Sequence, residues 1–225
     1  MRRAAQTSES VEVAVLLALS GGLMDAYSYL VRGGVFANAQ TGNMLLLGIS
    51  ITQGNWDGCL RYATPIASFA VGVAVAQCLK LAAAGGRLHW RQLALGLEVA
   101  LLVAVALVPA SLDLVANDLT SLACGIQVQA FRKLHGRAVA TTMCVGNLRI
   151  GTDELVTYLH TRDRAALSGA LLRYLVICCF VAGAVLGNLL VPALGLRMIL
   201  ASPVLLACAF AVMFWDREAA EGAGG

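Results

Sequence analysis

Long apolar runs broken by short polar or glycine-containing segments make up most of the chain. Six runs approach or exceed the ~20 residues that a helix needs to cross a bilayer: Val11–Val31, Leu60–Leu79, Leu93–Ala110, Leu114–Phe131, Leu167–Val191 and Leu196–Trp215. Irregular backbone cannot face lipid, so each run predicts a helix. Two shorter apolar stretches, Val35–Ile51 and Ala138–Ile150, each follow a polar or glycine break. The expected fold is an all-α, polytopic bundle of six spans, forming one membrane domain over residues 1–225 with a disordered tail from Asp216.

Composition agrees. Of 225 residues, 59% are hydrophobic and 13% charged, where a soluble domain carries about 25% charged residues. A net charge of +3 gives no argument for nucleic acid. With the N-terminus inside, twelve of the sixteen Lys and Arg fall in inner segments, so the positive-inside bias predicts that both termini are cytoplasmic. The setting would be a bacterial inner membrane, with the lipid bilayer as the first partner. The Arg2-Arg3 start and its apolar run read as an uncleaved first helix rather than a signal peptide.

The two halves resemble each other. A shift of 104 residues places Gly21, Ala26, Leu30, Val35, Gly42 and Asn43 on Gly125, Ala130, Leu134, Val139, Gly146 and Asn147. That is six identities in the 28 positions from Ser20 to Leu47, against roughly two or three by chance. After a further seven residues, Phe69, Gly72 and Gln77 fall on Phe180, Gly183 and Asn188. Repeats of about 11–110 and 114–215 would hold three spans each, and an odd number inverts the second relative to the first.

Each half carries a Gly-Asn element. Gly33-Gly34 to Asn43 precedes one short apolar run, and Gly136 to Asn147 precedes the other. Glycine permits the turn and Asn or Thr can cap a new helix, so each predicts a re-entrant or broken helix. Its free N–H groups would suit an anion or a polar substrate group. The alternative is that these groups only stitch the helices together. The candidate substrate residues are Asp25, Asn38, Thr41, Gly42, Asn43, Thr141, Thr142, Gly146 and Asn147.

The pattern Gly21-Gly22-x-x-Asp25-Ala26-x-x-Tyr29, followed by Gly34-Val35-Phe36 and Thr41-Gly42-Asn43, resembles the YoaK family of small bacterial integral membrane proteins. So does Gly125-x-Gln127 onward to Gly146-Asn147-Leu148, although Val145 stands where that family more often has Thr. The resemblance implies the membrane fold but no substrate.

Ionisable residues at membrane depth are costly and mark candidate functional positions. Asp25, Glu98 and Arg173 qualify. Similar depth makes Glu98 and Arg173 expected partners, as a structural or a coupling pair, while Asp25 has only Arg32 nearby in sequence. A carboxylate beside a Gly-Asn element suits proton coupling; interhelical hydrogen bonding is the other reading. Gln77, Gln127, Gln129 and Asn188 add amides that could line a cavity. No nucleophile–base constellation, phosphate loop or metal cluster is present, and the seven cysteines read as core residues, so neither an enzyme nor a cofactor or metal is expected. His89, His135 and His160 lack ligand spacing. The expectation is a secondary transporter or exporter of a small molecule. The alternative is a membrane scaffold, and a homo-oligomer is compatible with both.

Overall fold

Ser10 starts the first helix by accepting the N–H of Val13 on its side chain, as an N-cap does. In the computed structural model, residues 10–82, 90–134 and 137–222 are described, except the side chains of Leu134 and of residues 214–222. Among the described residues eight α-helices follow one another: α1 (Val11–Val31), α2 (Gln40–Thr52), α3 (Trp56–Ala82), α4 (Trp90–Val105), α5 (Asp113–Ala130), α6 (Cys144–Thr161), α7 (Arg164–Leu194) and α8 (Ala201–Gly222). A minimal hairpin pairs β1 (Lys133–Leu134) with β2 (Arg137–Ala138). The fold is all-α.

Every expected apolar run lies largely on a helix, with shifted ends. α4 stops at Val105, five residues before the end of its run, ahead of Pro109 and a 3-10 turn. Where the sequence suggests a tail from Asp216, α8 continues to Gly222. Val11–Val31, Trp56–Ala82 and the α7–α8 stretch Arg164–Met213 are long and apolar enough to cross a membrane. Large apolar side chains cover the outside, Leu107 and Val145 at more than 80% exposure among them. Such a surface suits lipid rather than water.

The most extensive helix contacts are α1 with α7 and α3 with α5. Both depend on close backbone approach. A Cβ on Gly22 would overlap the Phe180 carbonyl, and one on Gly125 the Phe69 carbonyl. Likewise Gly183 meets the Leu19 carbonyl and Gly72 the Leu122 carbonyl. Small residues at such crossings let helices approach where apolar burial gives no drive. The weaker contacts recur in the same way: α6 with α7 and α2 with α3, then α1 with α8 and α4 with α5. Thus α1 packs on second-half helices, and α5 on first-half ones.

Gly22 and Gly125, 103 residues apart, each meet a phenylalanine carbonyl, and Leu19 and Leu122, also 103 apart, each offer a carbonyl to a glycine. Asn43 and Asn147 are 104 apart, the spacing read from sequence, and each bonds a carbonyl seven residues back.

Candidate functional site

After α1 the chain turns through Gly33 and Gly34, both at positive φ, where glycine is favoured. It then runs back along α1. Asn38 donates from its N–H to Asp25 Oδ1 at 2.7 Å and from Nδ2 to the Gly21 carbonyl at 3.1 Å. The backbone N–H groups of Ala37 and Ala39 lie near the same carboxylate. Since Gly21 and Asp25 lie in the body of α1, the segment folds back along α1 before the 13-residue α2 begins. Asn43 holds the turn from the other side: its Oδ1 accepts the Phe36 N–H at 3.0 Å, and its Nδ2 donates to the Phe36 carbonyl at 2.7 Å and to Gln40 Oε1 at 2.8 Å. Gly42 leaves room for the Phe36 ring, which stacks on Tyr29. The Asn38 N–H, one of the groups offered by sequence to a bound anion, is therefore taken by the chain's own Asp25.

Arg32 is not the partner of Asp25. It is fully buried, donating to Asp113 at 2.8 Å, to the Tyr27 hydroxyl at 2.6 Å, and to the Val108 and Pro109 carbonyls. Its role is to close the end of α1 over the α4–α5 connection.

The second loop is anchored by different chemistry. Arg173 Nη1 donates to the Ala138 carbonyl at 2.9 Å, and its Nε bonds Glu154 at 3.1 Å. Arg137 reaches the same carboxylate at 3.5 Å. The expected Glu98–Arg173 pair is thus replaced by Arg173–Glu154. Sequence reasoning missed Glu154 because the apolar stretch ends at Ile150, whereas α6 continues to Thr161. Gln127 Nε2 donates to the Leu17 carbonyl at 3.0 Å and to Thr141 Oγ1 at 3.3 Å, tying this loop to α1 and α5. Asn147 Nδ2 donates to the Ala140 carbonyl at 2.6 Å.

Both loops arrive at one place. Asn38 bonds the Gly21 carbonyl, and the Thr142 side chain fills the space beside the Gly21 Cα. Cys124 lies next to them, donating to the Met24 sulfur at 3.7 Å, beside Asn38 and within electrostatic reach of Asp25 and Glu98. Several buried polar atoms here have no hydrogen-bond partner: Asn38 Oδ1, Gln127 Oε1 and Thr142 Oγ1. Glu98 is 0% exposed, and neither of its oxygens has a hydrogen-bond partner among the described residues. Thr41 and Gly146 are exposed and lie outside this cluster, and Gly42, Asn43, Thr141 and Asn147 support its loops. Gln129 and Gln77 bond each other at 2.8 Å between α5 and α3. His160 closes the last turn of α6, while His89 and His135 lie outside the described residues. Among the described residues no group of His, Cys, Asp and Glu has the arrangement of a metal site.

Apolar helices, a lipid-suited surface and loops folded back into the helix layer define a polytopic α-helical membrane protein. The chain belongs to the family described as "Protein of unknown function (DUF1275)", which matches residues 13–212. It is 29% identical over 189 residues to the UPF0700 transmembrane protein YoaK of Bacillus subtilis (strain 168), covering 79% of this chain and 82% of that protein. No solved structure matches it.

Proposed function

We propose that the chain is a secondary transporter or exporter of a small polar solute in the bacterial cytoplasmic membrane, with both termini cytoplasmic and six spans. The observation that carries this reading is the meeting of the two re-entrant loops at Gly21, with Asn38 Oδ1, Gln127 Oε1 and Thr142 Oγ1 buried and unpartnered beside it. Unpaired buried polar groups are costly, and a passing solute would satisfy them. Discontinuous helices in corresponding positions of two halves are the usual pointer to a transport site.

The recurring glycine contacts support two inverted repeats. They also revise what would move. α1 packs on α7 and α5 on α3, so the rigid bodies would be α1 with α6–α8 and α2–α5, not the two sequence halves. The loop cluster lies where these bodies meet. Proton coupling suits Glu98, whose carboxyl has no hydrogen-bond partner among the described residues, better than Asp25, which holds its loop.

A scaffold without transport is the second reading, favoured by Asp25, Asn43 and Asn147 being engaged by their own loops. Comparing solute accumulation in cells with and without the protein, then flux into vesicles of the purified chain, separates the two. Transport predicts flux that Glu98→Gln uncouples from a proton gradient; a scaffold gives no flux for any solute.

A further inference from the structure

We propose that the end of the bundle where α1 finishes holds a binding site for a small zwitterionic solute of the α-amino-acid type. A cleft of about 320 Å³ opens there between the start of α3 and the start of α5, within the range of small-ligand pockets. Its charged and amide lining is Asp57 and Arg61 from α3, Asp113 and Asn117 from α5, and Arg32, with Gly33 at the turn.

The two walls are built alike. Asp57 and Arg61 are four residues apart on one helix, as are Asp113 and Asn117 on the other, so each pair shares a face. Arg32 and Asp113 are bonded to each other at 2.8 Å. Asp57 and Arg61, in contrast, make no hydrogen bond or ion pair among the described residues, although their spacing permits one. Arg61 Nη1 reaches instead toward Gly33. Asn117 is 2% exposed; its Nδ2 donates to the Arg32 carbonyl at 2.8 Å, while its Oδ1 has no partner. The open functional groups are therefore one guanidinium, one carboxylate and one buried amide oxygen.

That set selects against a simple ion. A bare anion at Arg61 meets the Asp57 carboxylate one turn away, and a bare cation at Asp57 meets Arg61. The cleft's two arginines and two aspartates cancel. A zwitterion satisfies all three groups: its carboxylate accepts the paired N–H groups of Arg61, and its ammonium donates to Asp57 and to Asn117 Oδ1. Asp57 and Arg61 also line a second cleft of about 230 Å³ toward Ser50, Asn55 and Tyr62, which offers space for a side chain.

This assignment rests on the transport reading for its purpose and names the solute class. It lies at the opposite end of α1 from the N-terminus, so the positive-inside orientation makes it an external site. The test is calorimetric titration of the full chain in nanodiscs with L-alanine and L-serine, against propionate and ethylamine as half-ligands. Saturable binding of the zwitterions is expected, with each half-ligand weaker by about tenfold or more. Asp57→Asn and Arg61→Gln should each weaken alanine about tenfold, and Arg137→Gln, at the other end, should change nothing. The site is overturned if a folded, cooperatively melting chain shows no saturable zwitterion binding. Equal binding of half-ligands, or indifference to both substitutions, overturns it too. Binding without flux would leave the site standing and remove the transport reading; flux of another solute without zwitterion binding would do the reverse.

Discussion

The loops before α2 and α6 carry the same Asn clasp seven residues from the carbonyl it holds, yet opposite charges tie them down. The first is held by a carboxylate: Asp25 accepts the Asn38 N–H, with those of Ala37 and Ala39 nearby. The second is held by a guanidinium: Arg173 donates to the Ala138 carbonyl and is itself neutralised by Glu154. Backbone offers both donors and acceptors, so a helix break can be anchored by either sign. The difference lies in what each anchor requires. A carboxylate satisfied by N–H groups needs no second ion. A guanidinium bonded to a neutral carbonyl remains a buried cation, and α6 supplies Glu154 to answer it.

Arg173→Ala should therefore be the most damaging loop substitution. It leaves Glu154 with only the longer Arg137 contact and the Ala138 carbonyl without its donor, and should cost about 3 kcal/mol, read as lost thermal stability in detergent. Asp25→Ala should cost about 2–3 kcal/mol by leaving N–H donors unpaired, and Asp25→Asn, which keeps one acceptor, about 1 kcal/mol. If Asp25→Ala proves as damaging as Arg173→Ala, the two anchors are not different in kind. The clasps should also separate, since Asn43 makes three side-chain bonds and Asn147 one. Asn43→Ala should lower stability by about 2 kcal/mol and Asn147→Ala by about 1 kcal/mol in the same melts. The smallest effect is expected from Val145→Thr, just before the second Gly-Asn pair. Val145 is 83% exposed, so the change should stay within about 0.5 kcal/mol and leave flux unaltered.

The helices were legible because twenty-residue apolar runs permit little else at membrane depth. α2 and the first part of α6 were legible too, as apolar stretches following glycine breaks. Side-chain partners were not. Arg32 lies seven residues from Asp25 in sequence, but its carboxylate partner is Asp113, 81 residues away. Glu98 and Arg173 match in depth, yet depth on two helices says nothing of the direction in which their side chains project. Arg173 found its counter-ion on α6, in a stretch that looks like a polar loop. Asp25 was recognised as unusual, but the loop folding onto it depends on a chain reversal at Gly33-Gly34 whose direction no periodicity records. Thr41 and Gly146 share the repeat's motif but lie exposed, because the motif encodes the turn as much as the site.

The most direct test of the loop cluster is flux through vesicles containing the purified chain, measured for the solute found by accumulation screening, with Thr142→Val and Thr142→Ser beside Val145→Thr. Thr142→Val removes an unpartnered hydroxyl at the meeting point with little change in shape, and Thr142→Ser keeps it. The prediction is a loss of flux of about tenfold or more in Thr142→Val, with cooperative melting kept and Thr142→Ser and Val145→Thr close to unchanged. Undiminished flux in Thr142→Val would contradict the placement of the solute path between the two loops.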